Sequence, residues 1–134
     1  LIVADASAVG EVLLDRPLAP AIRAVLAEHS AIHAPEHFHV EAISMLRRWA
    51  LRGELGESRR AQALRELREL RVLRYSVGDM CDAVWDLRES LSAYDAAYLA
   101  LARRLGLQLL TCDAGLATAT RAEGRLVELP AVLT

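Results

Sequence analysis

Lysine is absent from this 134-residue chain, and all sixteen of its basic residues are arginine. A phosphate-binding loop of the P-loop type needs its lysine, so nucleotide hydrolysis of that kind is excluded. Schiff-base catalysis has no side-chain amine to use, and a phosphoacceptor receiver domain, which keeps a lysine beside its aspartate, is disfavoured. Aromatic residues make up only 4 % of the chain, which rules out extensive stacking of nucleobases. Cysteine occurs twice, as Cys81 and Cys112, without metal-ligand spacing and too sparsely for a disulfide framework. A reducing cytoplasm is therefore the expected compartment. No apolar run reaches the length of a membrane span, and no basic-then-apolar leader opens the chain. The start at Leu1, inside a strand-like segment, implies that an initiator Met and a residue or two precede it.

What is present is mostly apolar. Hydrophobic residues make up 54 %, enough for one domain over 1–134 with a proper core. The net charge of −2 does not by itself announce nucleic acid. The distribution says more, since nine of the arginines fall between Arg47 and Arg74. Two readings stand: a solvated helical face laced with pairs such as Arg65 with Glu69, or a strip facing phosphate or a partner. Arginine without lysine, together with abundant alanine, points to a GC-rich genome.

Short, continuously apolar runs alternate with helical patterns. Leu1–Ala4, Ala31–Ala34, Val72–Ser76, Leu107–Thr111 and Leu126–Leu129 read as five strands. Helices are expected at Ser7–Leu14, Ala19–His29, Glu36–Arg52, Glu57–Leu70, Asp79–Glu89, from Ser92 to before Gly106, and at Ala114–Ala122. This alternation predicts an α/β fold whose mostly parallel five-stranded sheet is covered by helices on both faces. Ligands in such sheets bind beyond the carboxyl ends of the strands. Asp5 ends the first strand and Asp113 follows the fourth, each opening a helix.

The stretch LSAYDAAYLALARRLG, Leu91–Gly106, raises a sharper question. On a 3.6-residue period Asp95 shares a face with Leu91, Tyr98, Leu99 and Ala102, a face that should be buried. Ser92-Ala-Tyr-Asp95 reads as a capping box, and Asp5 and Asp113 read equally well as helix N-caps. Glu41 reads as a boundary position, one step off the apolar face made by Phe38, Ala42, Met45, Leu46 and Trp49. If the strand ends and the start of the penultimate helix meet at one rim, however, these carboxylates converge. Two carboxylates about 4 Å apart repel by about 4 kcal/mol at an effective dielectric near 20. A cluster relieves this by taking up protons or a cation, and oxygen ligands without Cys or His suit Mg²⁺ or Mn²⁺.

The ordered set Asp5, Glu41, Asp95, Asp113 resembles that of a PIN domain. LIVADASAVGEVLL is similar to the family's opening strand and helix. LSAYDAAYLALARRLGLQLLTCDAGLATA is similar to its most characteristic stretch, with the Asp in a helix and Thr-x-Asp after the next strand. The resemblance spans the chain, and its size is similar to that of the VapC toxins of type II toxin–antitoxin pairs. It implies an α/β/α sandwich and a Mg²⁺-dependent endoribonuclease, with Mn²⁺ as the alternative ion, that hydrolyses RNA with metal-activated water. It implies Asp5 and Asp95 as direct metal ligands, Asp113 beside them, and Glu41 acting through water. Ser7 and Thr111 match supporting polar positions. It further implies a cognate antitoxin, an RNA substrate, a homodimer and no membrane.

Other features compete. HAPEHFHVE carries His33, His37 and His39, but His37 and His39 lie two apart on a predicted helix and diverge, against zinc. His37, one turn before Glu41, reads as a surface histidine or as one facing the cleft. Trp49 and Trp85 read as core or dimer-interface residues, Tyr98 as packing, and Arg88 as a phosphate or antitoxin contact or a surface ion pair. Two further functions are open: a catalytically inactive PIN-like module that binds RNA or protein, and a metal-dependent phosphatase of another α/β class. The phosphatase pattern of Asp-x-Asp after the first strand is broken here by Ser7 in Asp5-Ala6-Ser7.

Overall fold

A strand that is apolar at every position must be covered on both faces. The first run meets that condition: Ile2, Val3 and Ala4 are all buried and form β1 (Ile2–Ala4). The computed structural model describes residues 1–130. After β1 come α1 (Ala6–Leu13), α2 (Ala19–Ala27), β2 (Ile32–Pro35), α3 (Phe38–Leu51), α4 (Glu57–Glu69) and β3 (Val72–Tyr75). A 3₁₀ turn (Gly78–Met80) then leads into α5 (Cys81–Asp86), α6 (Ala93–Leu105), β4 (Leu109–Leu110) and α7 (Ala114–Ala122).

The strands form one parallel sheet in the order β3-β2-β1-β4. The chain leaves β1 toward β2 on one side, and its other neighbour is β4. The strand order therefore reverses at the β1–β4 crevice, the place where ligands bind in such sheets. Helix α1 packs against α2, α3 and α4, while α6 packs against β1, β2, β4, α5 and α7. Seven consecutive residues of α6, Ala96–Ala102, are buried, so this helix is wrapped nearly all round, as its composition demands. Gly106 ends it in the left-handed conformation, φ 65°, as a C-terminal glycine should. Gly10 lets α1 approach α3 closely, because a Cβ there would collide with the end of Met45.

The expected α/β fold with a covered parallel sheet is thus present, with two local differences. Leu126–Leu129 is not a fifth strand: Leu126 makes one isolated bridge to Leu109 and pairing stops. With only two residues in β4, the edge offers no further ladder to extend. The helix expected over Asp79–Glu89 is broken into the 3₁₀ turn and the short α5. The second strand, read as Ala31–Ala34, runs one residue further, to Pro35, which pairs with Tyr75. Proline costs the β2–β3 ladder nothing here, because alternate residues donate toward β3: Ile32 N–H bonds Arg71 C=O and Glu36 N–H bonds Tyr75 C=O at 2.8 Å. No helix among the described residues is long and apolar enough to cross a membrane.

Candidate active site

The carboxyl ends of β1 and β4 place Asp5, Thr111 and Asp113 side by side. Asp5 is 3 % exposed and caps α1: its Oδ1 accepts the Ala8 N–H at 3.1 Å. The same oxygen accepts the Ser7 hydroxyl at 2.7 Å, and Oδ2 accepts the Thr111 hydroxyl at 2.6 Å. Ser7 is itself held across the crevice, where its Oγ accepts the Cys112 N–H at 2.9 Å. Thr111 Oγ1 accepts the Asp113 N–H at 3.0 Å. Both polar residues flagged by sequence thus donate to the Asp5 carboxylate. Asp113 caps α7 through Oδ2, which accepts the Leu116 N–H at 2.9 Å.

Asp95 enters from α6. Ser92 Oγ accepts the Asp95 N–H at 3.3 Å, the first half of the capping box. The reciprocal bond, from the Ser92 N–H to the Asp95 carboxylate, is not made among the described residues. The carboxylate is instead turned into a cleft of about 430 Å³ that Asp5, Glu41 and Asp113 also line. Glu41 comes from the first turn of α3, beside its buried stripe of Phe38, Ala42 and Leu46.

The charges feel one another. Burial pushes the Asp5 carboxyl up to about 6, against the Thr111, Ser7 and Ala8 hydrogen bonds that favour its anion, with the Asp95 charge adding to the rise. Burial also raises Asp95, followed by the charges of Asp113 and Glu41, while Ser92 and His37 offset part of the effect. Among the described residues no three Asp, Glu, His or Cys side chains are gathered at ligating distance of one point. The residues nevertheless fit a hard divalent ion: a buried carboxylate held charged only at a cost, three more facing the same cleft, and oxygen donors throughout. Cys112, close by, is no nucleophile, since burial and then the charges of Glu11 and Asp5 push its thiol up to about 12.

The rim is partly polar and basic. His37 and Arg48 line the cleft with the exposed Tyr94. His37 Nε2 lies 3.4 Å from Glu41 Oε1 and 3.2 Å from the Tyr94 carbonyl oxygen, so of its two sequence readings the cleft-facing one holds. His33 is instead buried in β2, 2.6 Å from the Tyr75 hydroxyl, and the three histidines form no metal cluster among the described residues. Arg48 was legible only as part of the arginine strip. Elsewhere in that strip, Arg59 bonds the Leu13 carbonyl at the end of α1 and pairs with Glu66, and Arg60 pairs with Glu57, so the expected Arg65–Glu69 pair is replaced by others.

Tyr98 is packed as expected, 1 % exposed, yet its hydroxyl also donates to Glu41 Oε1 at 2.7 Å. The sequence signal was there: a buried tyrosine needs a partner for its hydroxyl, and Tyr98 lies one turn beyond Asp95. Trp49 is half-buried under the Arg16 guanidinium. Trp85 is 65 % exposed, because the short α5 turns Val84 inward, so of its two readings, core or dimer interface, the core one is excluded. Arg88 makes no ion pair among the described residues; it lies over the Trp85 ring and bonds the Trp85 carbonyl.

Comparison with known proteins places this geometry among relatives. The PIN domain family matches residues 2–122. The chain is 38 % identical over 130 residues to the VapC ribonuclease Mb0985 of Mycobacterium bovis, covering 97 % of this chain and 99 % of that one. It is 40 % identical over 121 residues to ribonuclease VapC3 of Mycobacterium tuberculosis, covering 88 % and 86 %. Among solved structures it resembles PAE2754 from Pyrobaculum aerophilum, with a TM-score of 0.70, 20 % identity, and coverage of 93 % of this chain and 81 % of that chain. It also resembles Mycobacterium tuberculosis VapC20, described as a sarcin-ricin loop cleaving toxin, with a TM-score of 0.67, 18 % identity, and coverage of 89 % and 95 %.

Proposed function

Since the chain belongs to the PIN-domain family and is of the VapC ribonuclease type, we propose that it is a metal-dependent endoribonuclease, the toxin of a toxin–antitoxin pair, acting in the cytoplasm as a single nuclease domain over 1–134. The observation that carries this reading is the convergence of Asp5, Glu41, Asp95 and Asp113 on one cleft at the strand-order reversal.

In this reading Asp5, Asp95 and Asp113 hold Mg²⁺, or Mn²⁺ in its place, directly, and Glu41 acts through water. A hard divalent ion held there supplies the Lewis acidity and positive charge that attack of water on phosphorus requires. The chain's own residues do the rest. Ser7, Thr111 and the Ala8 N–H keep Asp5 in one orientation and favour its anion. The Thr111 hydroxyl and the α7 cap fix Asp113. Arg48, on the same cleft, offers a fork-shaped cation to a phosphate next to the one being cleaved. The exposed apolar side chains of α3, Val40, Ile43 and Leu51, support an association surface of the kind a homodimer or a bound antitoxin would cover.

Expression of the chain alone is expected to arrest growth and to yield discrete RNA fragments, both relieved by co-expression of the cognate antitoxin. The Asp113→Asn protein at equal abundance is expected to permit growth. Growth arrest that persists undiminished in Asp113→Asn would count against the acidic centre as the source of toxicity.

A further inference from the structure

Glu41 is the odd member of the acidic set. Asp5 and Asp113 are short side chains pinned by helix-capping N–H groups and hydroxyls. Glu41 is longer, sits within a helix rather than at its cap, and has three rotatable bonds. Left to itself on a partly exposed helix face it would populate several rotamers. It does not stand alone. The Tyr98 hydroxyl donates to its Oε1 at 2.7 Å, and His37 Nε2 lies 3.4 Å from that same oxygen. No hydrogen bond is made to Oε2 among the described residues. One carboxylate oxygen is thus clamped and the other is left over.

The clamp is rigid. The Tyr98 ring is 1 % exposed in the core, on a helix buried through seven consecutive residues, and the His37 ring stands edge-on to it with centroids 5.5 Å apart. Asp95 lies one turn before Tyr98 on α6, so the Tyr98–Glu41 bond ties α3 to the helix that carries Asp95. A buried phenol can satisfy itself with a backbone carbonyl. Here it is committed to a carboxylate that lines the same cleft as three others, which makes sense if that carboxylate must be held in place.

We propose that Tyr98 is a positioning residue of the acidic centre: its hydroxyl holds Glu41 by Oε1 and so presents Oε2 to the divalent cation or its water. This rests on the reading of the cleft as a cation site. Partners of metal-bound groups, when removed, cost on the order of 10–100-fold in metal affinity or activity.

The test is Tyr98→Phe in the full chain, which keeps the ring and deletes only the donor. Mn²⁺ affinity is measured by calorimetry on metal-stripped protein, and cleavage of total RNA is measured in parallel. The expected result is Mn²⁺ binding weaker by about tenfold, a kcat lower by a similar factor, an unchanged KM, and an unchanged far-ultraviolet circular dichroism spectrum. In a Glu41→Ala background, which deletes the acceptor, Tyr98→Phe is expected to add no further loss, since the two act through one contact. Parental Mn²⁺ affinity in Tyr98→Phe, or a full additional loss in the Glu41→Ala background, overturns the proposal. Parent protein that binds Mn²⁺ but cuts no RNA refutes the nuclease reading alone, and the Mn²⁺ comparison still decides the role of Tyr98.

Discussion

In the absence of metal, Asp5→Asn protein is expected to be more stable than its parent at pH 7.5, by up to about 3 kcal/mol. Burial holds the folded-state Asp5 carboxyl near 6, against 3.8 ordinarily. Above that value the folded protein carries a buried charge that the unfolded chain keeps in water. As pH falls through 6 the folded state takes up the proton before the unfolded state does, so the parent gains stability down to about pH 4. Asparagine has no such transition. The advantage of the variant is therefore largest at neutral pH and shrinks toward pH 4. His33 and His39, both lowered by burial, with the Arg74 charge adding to the effect at His39, work in the opposite sense. They do so in both proteins and cancel in the difference. Urea midpoints of the two proteins in EDTA, at pH 7.5 and 4.5, check this. A variant that is less stable at both pH values, by the same amount, would mean that Asp5 is an ordinary satisfied cap.

The second large effect is on activity. Asp95→Asn is expected to lower RNA cleavage by more than about 100-fold, since even the partners of metal-bound groups cost 10–100-fold. Its fold should be intact, because the cap at the start of α6 uses the Asp95 backbone N–H and Ser92 Oγ, not the carboxylate. Ser92→Ala is the counterpart: it removes that cap, at about 1 kcal/mol of stability, and is expected to keep activity within a few-fold. Cleavage assays and thermal melts on the two variants separate the roles. Substantial cleavage by folded Asp95→Asn would return Asp95 to helix capping.

The capping box illustrates how far the sequence could be read. Ser92, Asp95 and Gly106 were legible as helix boundaries, and Asp95 does lie at a capping position. What spacing alone could not decide was the direction of its carboxylate, which depends on where α6 meets β1 and β4. The same holds for Glu41, whose boundary position was visible but whose bond to Tyr98 spans 57 residues. Strands β1, β2 and β4 were legible because burial on both faces demands apolar runs, while the edge strand β3 keeps Leu73 and Arg74 exposed. The Leu126–Leu129 run has that composition too, yet β4 is too short to pair with it beyond Leu126. Trp85 could be read only as core or interface because amphipathic periodicity presumes a helix long enough to have a defined inner face, and α5 has six residues.

The measurement that bears most directly on the central claim is cleavage of total cellular RNA by purified, antitoxin-free protein, in Mg²⁺ and in EDTA. Four carboxylates that share one cleft without a cation repel, and two of them have raised proton affinity. The account therefore predicts discrete RNA fragments in Mg²⁺, none in EDTA, and recovery when Mg²⁺ is added back. Fragments that appear equally in EDTA would contradict it, because the acidic centre would then be dispensable to the cut.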